Sequence, residues 1–333
     1  MKILRSLAAL IIVAATTFTA FIGRDKITDN GVSVSPAEYK GILTLWHIDT
    51  FEGGVGSRKQ FLLSVSREFE KKNEGVLVMA MDYTAENAEK AMEEGKFPDL
   101  ISYGVGVNVK NLQPITEKCE KNLPLGGYNG ETYALCWCRG GYCVIENPEY
   151  KDTKNSANKL IVSQGAYTNP LVSYALSEKT EQNFEILSPL NAYIKFTAGK
   201  SKYLLGTQRD INRLILRGMD FIARPLDGYN DLYQYISVVS TDSVKALYAQ
   251  KFAAFLVSAS VQRKLNKIGM FSAYLSVEYD SPDMALMQKT DAKIALSAFS
   301  TKELIGELQE RANLAVKGDV GELSKIKKLI ATP

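Results

Sequence analysis

The stretch Gly41–Gly54, GILTLWHIDTFEGG, gathers an indole, an imidazole and two carboxylates into one short segment: Trp46, His47, Asp49 and Glu52. Thr50 and the glycines Gly53, Gly54 and Gly56 complete it. Side chains of these types at the end of one strand can hold a polar ligand, and their plainer role is to cap a core. The two acids also invite a catalytic reading. Glycoside hydrolysis uses paired carboxyls about 5–10 Å apart, and Asp49 with Glu52, or Asp82 with Asp99, are the candidate pairs. The chain offers no G-x-S-x-G elbow and no H-E-x-x-H, and its single histidine, His47, limits any triad or metal set. Ligand binding without chemistry is therefore the leading reading and an exported carboxylate-dependent hydrolase the rival.

The elements that would position these residues follow from periodicity. Ile42 to Ile48 is apolar and free of Pro and Gly, which fits a strand buried on both faces. Phe61, Leu62, Val65 and Phe69 then recur at helical spacing. Gly75 to Met81 reads as a second strand ending in Asp82 and Tyr83, Glu86 to Glu94 as a helix, and Phe97 to Gly104 as a third strand. This β-α-β-α-β order builds a parallel sheet, whose ligands sit at the carboxyl ends of the strands. Thr132 to Ile145 reads as an extended crossing segment, and Tyr167–Tyr174 and Asn191–Phe196 as elements of a second lobe. Tyr203–Leu205 runs into a helix through Arg217, with Asp210 in its first turn, where a carboxylate suits the positive helix end. Phe221 to Ser240 is extended, Ser243 to Lys267 is an amphipathic helix pair, and Gly269–Ser272 is a turn or short strand. Two helices, around Met284–Phe299 and Thr301–Val316, are expected to close the chain.

Bulk properties bound the class. The chain has 333 residues, 46% hydrophobic and 23% charged, enough for two α/β lobes. Forty basic against 37 acidic residues leave a net charge of +3, too balanced to argue for nucleic acid. Lys2 and Arg5 precede an uncharged run from Ser6 to Gly23, the pattern of an export signal. The run is also long enough to span a bilayer, so cleavage and retention as an anchor both stay open. It holds no cysteine for lipid attachment. Residues 24–40 read as a polar linker. Outside the cytoplasm the four cysteines, Cys119, Cys136, Cys138 and Cys143, can pair. One or two disulfides are the preferred reading, with Cys138 to Cys143 across the Arg139–Tyr142 turn as one pairing, and buried free thiols are the alternative. The spacing does not suit a structural zinc site, so no metal and no cofactor is expected.

In order and spacing, several segments resemble the extracellular solute-binding proteins of ABC importers, family 1, sugar-binding type. They are LTLWHIDTFEGG at Leu43–Gly54, FPDLISYG at Phe97–Gly104, NGETYALCWCRGGYCVI at Asn129–Ile145, FTAGKSKYLLGTQRDINR at Phe196–Arg213, RPLDGYNDLYQYISV at Arg224–Val238 and FAAFLVSASVQRKLNKIGMFS at Phe252–Ser272. The resemblance implies an α/β protein of periplasmic-binding-protein type II. Two lobes, 41–139 plus 236–273 and 140–235 plus 274–333, would be joined by crossing hinge strands and close over a ligand. Carried over by position, the cleft would be lined by Trp46, His47, Asp49, Glu52, Asp82, Tyr83, Ser102, Tyr103, Trp137, Arg139, Gln208, Arg209 and Asp210. Trp46, Tyr83, Tyr103 and Trp137 would offer flat faces to a sugar ring, and the charged residues paired hydrogen bonds to its hydroxyls. Trp46 and Arg209 would face each other from opposite walls. Asn230 and Asp231 look like turn and hinge residues.

Two positions depart from the family. Ala134-Leu135-Cys136-Trp137 replaces an Ala-x-Pro-Trp crossing, and Gly206-Thr207-Gln208-Arg209 replaces a glycine-proline-tryptophan. An arginine there suits a carboxylate, phosphate or acidic sugar better than a maltose-like ring. The implied partners are a small solute (a sugar or acidic sugar) and a membrane permease, with the binding protein itself a monomer at the extracellular face of the membrane. A relative that has lost binding and serves as sensor or scaffold is the remaining alternative.

Overall fold

Strand β1 (Gly41–Ile48) sinks Leu43, Leu45 and Ile48 completely, while its paired neighbours fix its direction. A computed structural model describes residues 39–119, 121–151, 160–177 and 183–331. The expected export segment, residues 1–23, and residues 24–38 of the linker lie outside them. After β1 come α1 (Arg58–Glu70), β2 (Val76–Tyr83), α2 (Ala85–Glu93), β3 (Leu100–Gly104), a short β4–β5 pair (Gly127–Tyr128, Glu131–Thr132), β6 (Leu135–Arg139) and β7 (Tyr142–Glu146). The chain continues through β8 (Leu160–Ser163), α3 (Pro170–Ser177), β9 (Phe184–Leu187), α4 (Pro189–Thr197), β10 (Tyr203–Thr207), α5 (Gln208–Arg217) and β11 (Ile222–Pro225). It ends with β12 (Tyr233–Val238), α6 (Ser243–Leu256), α7 (Ala259–Gln262), α8 (Pro282–Lys289), α9 (Lys302–Val316) and α10 (Val320–Ala331).

The strands form two five-stranded sheets, in the orders β2-β1-β3-β12-β6 and β11-β7-β10-β8-β9. In the first, β1 runs parallel to β2 and β3, and β12 runs antiparallel to β3 and β6. In the second, β8 is parallel to β9 and β10, and β7 is antiparallel to β10 and β11. Each sheet is the core of an α/β lobe. The first is sealed by α1 and α6, whose Phe69 and Phe252 rings meet edge to face with centroids 5.3 Å apart. The second buries Ile145, Ile161, Phe196, Leu204, Ile211 and Leu214 together. Each such side chain stabilises the fold by about 1.5–3 kcal/mol through burial. Hydroxyls or carboxylates cap most helices: Ser57 accepts from Gln60 N, Thr84 from Asn87 N, and Asp242 from Val244 N and Lys245 N. Residues 40–333 form one compact unit, so the lobes lie against each other.

Three passages join the sheets among the described residues. β6 leads to β7 through Gly140–Gly141, and β11 leads to β12 through Leu226–Leu232. The chain returns a third time at Phe271, whose N–H and carbonyl both pair with Arg139 (2.9 and 2.8 Å). Gly140 N–H donates to Leu232 O (2.7 Å), and its carbonyl accepts from Asn230 Nδ2 (3.0 Å). Beside them Asp231, buried, accepts from Tyr142 Oη (2.5 Å), Tyr229 Oη (3.1 Å) and Asn169 N (2.8 Å). Burial lifts this carboxyl to about 6 against the pull of those donors.

Several expectations are corrected. The helix expected over Met284–Phe299 stops at Lys289. Beyond it the backbone pairs with the crossing instead: Asn230 N donates to Ile294 O (2.9 Å) and Leu296 N to Asn230 O (3.1 Å), supplying the bonds a longer helix would have made. A further helix, α10, follows the two expected to close the chain. All four cysteines are free. Cys138 and Cys143 do not bridge the turn: β6 and β7 belong to different sheets, one on each side of the crossing.

Two measurements check this arrangement. In denaturant without reductant, a thiol reagent should titrate four cysteines, with Cys119 reacting first in the folded protein because the other three are buried; fewer than four would reveal a disulfide. Tyr142→Phe strips Asp231 of a buried donor and should cost about 1–3 kcal/mol in urea denaturation at pH 7. Because Asp231 takes up its proton in the folded state as pH falls through about 6, and a protonated carboxyl needs fewer donors, that cost should shrink at pH 5. An equal cost at both pH values would show that the carboxyl does not titrate there.

Candidate functional site

The loop from Asp49 to Ser57 leaves the carboxyl end of β1 and forms one wall of a cleft of about 580 Å³. Gly54 lets this loop lie on the backbone of Ile268 and Gly269, whose carbonyls a Cβ would strike. The facing wall comes from the second lobe: Ser163, Gly165 and Thr168 after β8, Pro189 at the start of α4, Thr207 at the end of β10, and Arg209 and Arg213 on α5. Leu232 closes the floor. Strand ends of both sheets thus converge on one space, as expected for an α/β cleft.

On the first wall the charges are fixed by a buried chain of contacts. Ser102 Oγ accepts from Trp137 Nε1 and Gln234 Nε2, each at 3.1 Å. With both lone pairs used, its proton points to His47 Nδ1 at 3.1 Å. The imidazole then carries its own proton on Nε2, which lies 2.9 Å from Asp49 Oδ1. Arg58, 2% exposed, reaches the same oxygen at 2.7 Å, donates to the Phe51 carbonyl and places its guanidinium 4.0 Å from the Phe51 ring centroid. Burial alone would raise the Asp49 carboxyl. The His47 hydrogen bond and the Arg58 charge outweigh it and hold Asp49 below the usual carboxylate range.

On the second wall a capping box sets the direction of Arg209. Asp210 Oδ2 accepts from Thr207 N (3.0 Å), and Thr207 Oγ1 accepts from Arg209 N (3.3 Å). Gln208 is fully buried and holds the crossing, its Oε1 accepting from Gly141 N (3.0 Å). Arg209 alone of the three turns to the cleft, where Nη2 pairs with Glu52 from the opposite lobe. Its Nη1 lies 3.8 Å from Asp210 Oδ1. Burial pulls the guanidinium down to about 10, against the favourable charge of Asp210.

Of the expected lining residues, Asp49, Glu52 and Arg209 meet in the cleft. His47, Asp82 and Tyr83 border an adjoining hollow of about 430 Å³ that shares Asp49 and is edged by Tyr167 of the second lobe. Trp46 does not face Arg209. Strand alternation sends it to the side opposite His47, where it stacks on Tyr83 with centroids 4.2 Å apart. Glu52 is what Arg209 meets. Ser102, Tyr103, Trp137 and Gln208 are fully buried and present no face to a ligand. Tyr103 Oη bonds Ser237 Oγ, and Trp137 stacks on Phe61 at 5.8 Å. Asp210 is spent on the helix cap. Arg139 holds the crossing, donating to Gln288 O (2.6 Å) and pairing with Asp291 (3.2 Å). Arg58, Arg213, Ser163, Gly165 and Thr168 were not anticipated. The serine cap directly before Arg58 was a legible signal for the first of them, since it places that arginine at the start of a helix beside the strand-end loop.

Neither a protein-family model nor a curated protein sequence matches the chain. Solved structures do. The GacH receptor of Streptomyces glaucescens, solved unliganded and with acarbose and an acarbose homologue, superposes with a TM-score of 0.59 at 15% identity, covering 89% of this chain and 100% of that one. The sugar-binding protein MalE from the phytopathogen Xanthomonas citri gives a TM-score of 0.61 at 13% identity over 87% and 96% of the two chains. The maltose/maltodextrin-binding domain MalE from Bdellovibrio bacteriovorus, bound to maltotriose, gives a TM-score of 0.56 at 15% identity over 87% and 97% of the two chains. At these identities the likeness shows the fold: the chain has the two-lobed α/β architecture of periplasmic-binding-protein type II.

Proposed function

We propose that this protein is an extracytoplasmic solute-binding protein that delivers a carbohydrate, neutral or acidic, to an ABC importer by closure of its cleft. The observation that carries this reading is the cleft itself. Polar side chains from both lobes line one space, and the lobes are joined by short passages held by hydrogen bonds and the Arg139–Asp291 ion pair. Hinge closure of this kind needs only a few linking residues to absorb the rotation. Neighbours of the same fold bind acarbose and maltotriose, which supports a sugar as the solute. Phe51 offers the cleft a ring, and Ser163, Thr168 and the arginines offer hydrogen bonds to hydroxyls. Tyr83, Asp82 and Tyr167 would extend the site for a longer ligand. We further propose export by the N-terminal segment, action as a monomer, hinge boundaries near residues 139, 235 and 273, and a membrane permease as the partner that reads the closed form.

The hydrolase reading finds no support in the geometry. Asp99 is bound to Thr44 N (2.8 Å) and Thr44 Oγ1 (2.9 Å), and faces Lys245. Asp82 sits in register with His47 on the β2 side of β1, three residues along and two strand spacings across from Asp99, so roughly 14 Å away, and it pairs with Lys59. Asp49 and Glu52 are both engaged by arginines, and Asp49 is shifted down, the wrong direction for a general acid.

A panel of neutral and acidic mono- and oligosaccharides, titrated while melting temperature is followed, tests the proposal. A ligand at 100 times its Kd stabilises the folded state by about 2.7 kcal/mol, and mass spectrometry should return it unchanged. Cleaved product would revive the hydrolase. No shift with any sugar would favour a sensor or scaffold. Arg209→Ala should weaken the sugar that binds at least about tenfold, the worth of one good charged hydrogen bond.

A further inference from the structure

Glu52 and Arg209 are unequal partners. The guanidinium is 5% exposed and held by a capped helix, whereas the carboxylate is nearly half exposed on a glycine-flanked loop of the other lobe. We propose that Glu52 is a specificity-determining residue of the cleft, an internal anion that occupies the arginine fork a ligand's carboxylate or phosphate would otherwise take. The inference rests on the cleft being the sugar site.

A buried guanidinium without a counter-charge is costly, and the downward pull on Arg209 shows that burial is felt here. Asp210 cannot neutralise it fully, since its Oδ2 is committed to Thr207 N and its Oδ1 stays 3.8 Å from Arg209 Nη1. Glu52 supplies the missing contact. An anionic ligand brought to Arg209 with Glu52 in place would sit beside two carboxylates, so Glu52 must swing out. The pairing energy of the internal bridge is then subtracted from the affinity of every anionic ligand. A neutral sugar can bind with the bridge intact. The same residue thus sets the balance between sugars that differ only in charge.

The test compares glucuronate with glucose, galacturonate with galactose, and glucose 6-phosphate with glucose, by calorimetric titration of the full chain and of Glu52→Gln. The ratio of acid to parent-sugar affinity should rise about threefold to fivefold in Glu52→Gln, as expected for release from a partly exposed ion pair. The double variant Glu52→Gln/Arg209→Gln should lose that gain, and circular dichroism and melting of both variants check folding. A ratio unchanged within twofold, in a protein that binds at least one of these sugars, overturns the role of Glu52 and leaves the sugar-binding reading standing. Failure of wild type and variant to bind any of them, or any sugar of the wider panel, overturns both.

Discussion

The two sheets meet at Gly140, where a side chain would press on the buried Gln208 amide. A Cβ would lie 2.7 Å from Gln208 Oε1, the atom that receives the next backbone N–H. Its own N–H and carbonyl go to Leu232 and Asn230 of the second passage. One residue therefore ties two chain crossings and the start of α5 to a common point. Since α5 carries Arg209 and the crossing carries Leu232, the position of the cleft's far wall and floor follows from this close approach.

Buried polar chains do comparable work on the near wall. Trp137, Gln234, Ser102 and His47 form a line that ends at Asp49. None of the inner members touches the cleft, yet together they orient the imidazole that orients the carboxylate. The line is not fully satisfied, since the buried Gln234 Oε1 has no hydrogen-bond partner among the described residues, which costs stability in such a network. Aromatic and amide groups that carbohydrate chemistry would assign to a ligand are used here one layer further in. The cleft surface is left to arginines, acids, hydroxyls and the Phe51 ring.

The sequence was most legible where periodicity and function coincide. The β-α-β-α-β start, the Tyr203–Arg217 strand and helix, and the polar loop that follows β1 all follow from local pattern. Asp210 was correctly placed in the first turn of its helix, and the cap it makes there explains why it does not enter the cleft. What pattern could not supply was depth. Trp137 and Tyr103 look the same in sequence whether they face solvent or a core, and only the sheet order β3-β12-β6 decides it. The end of α8 was misjudged for a related reason, because residues 290–299 are drawn out by pairing with Asn230, a contact some sixty residues away in the chain. For Arg58 the serine cap marks only a helix start; its place at the site comes from a guanidinium that reaches back to the loop preceding the helix.

Three of the four thiols lie on the strands that flank the first crossing, and none is bonded to another. No covalent staple joins the halves of the molecule apart from the polypeptide itself. The proposed rotation of one half against the other would therefore break no disulfide, and among the contacts it would exchange are the ion pairs of Arg139 with Asp291 and of Arg209 with Glu52.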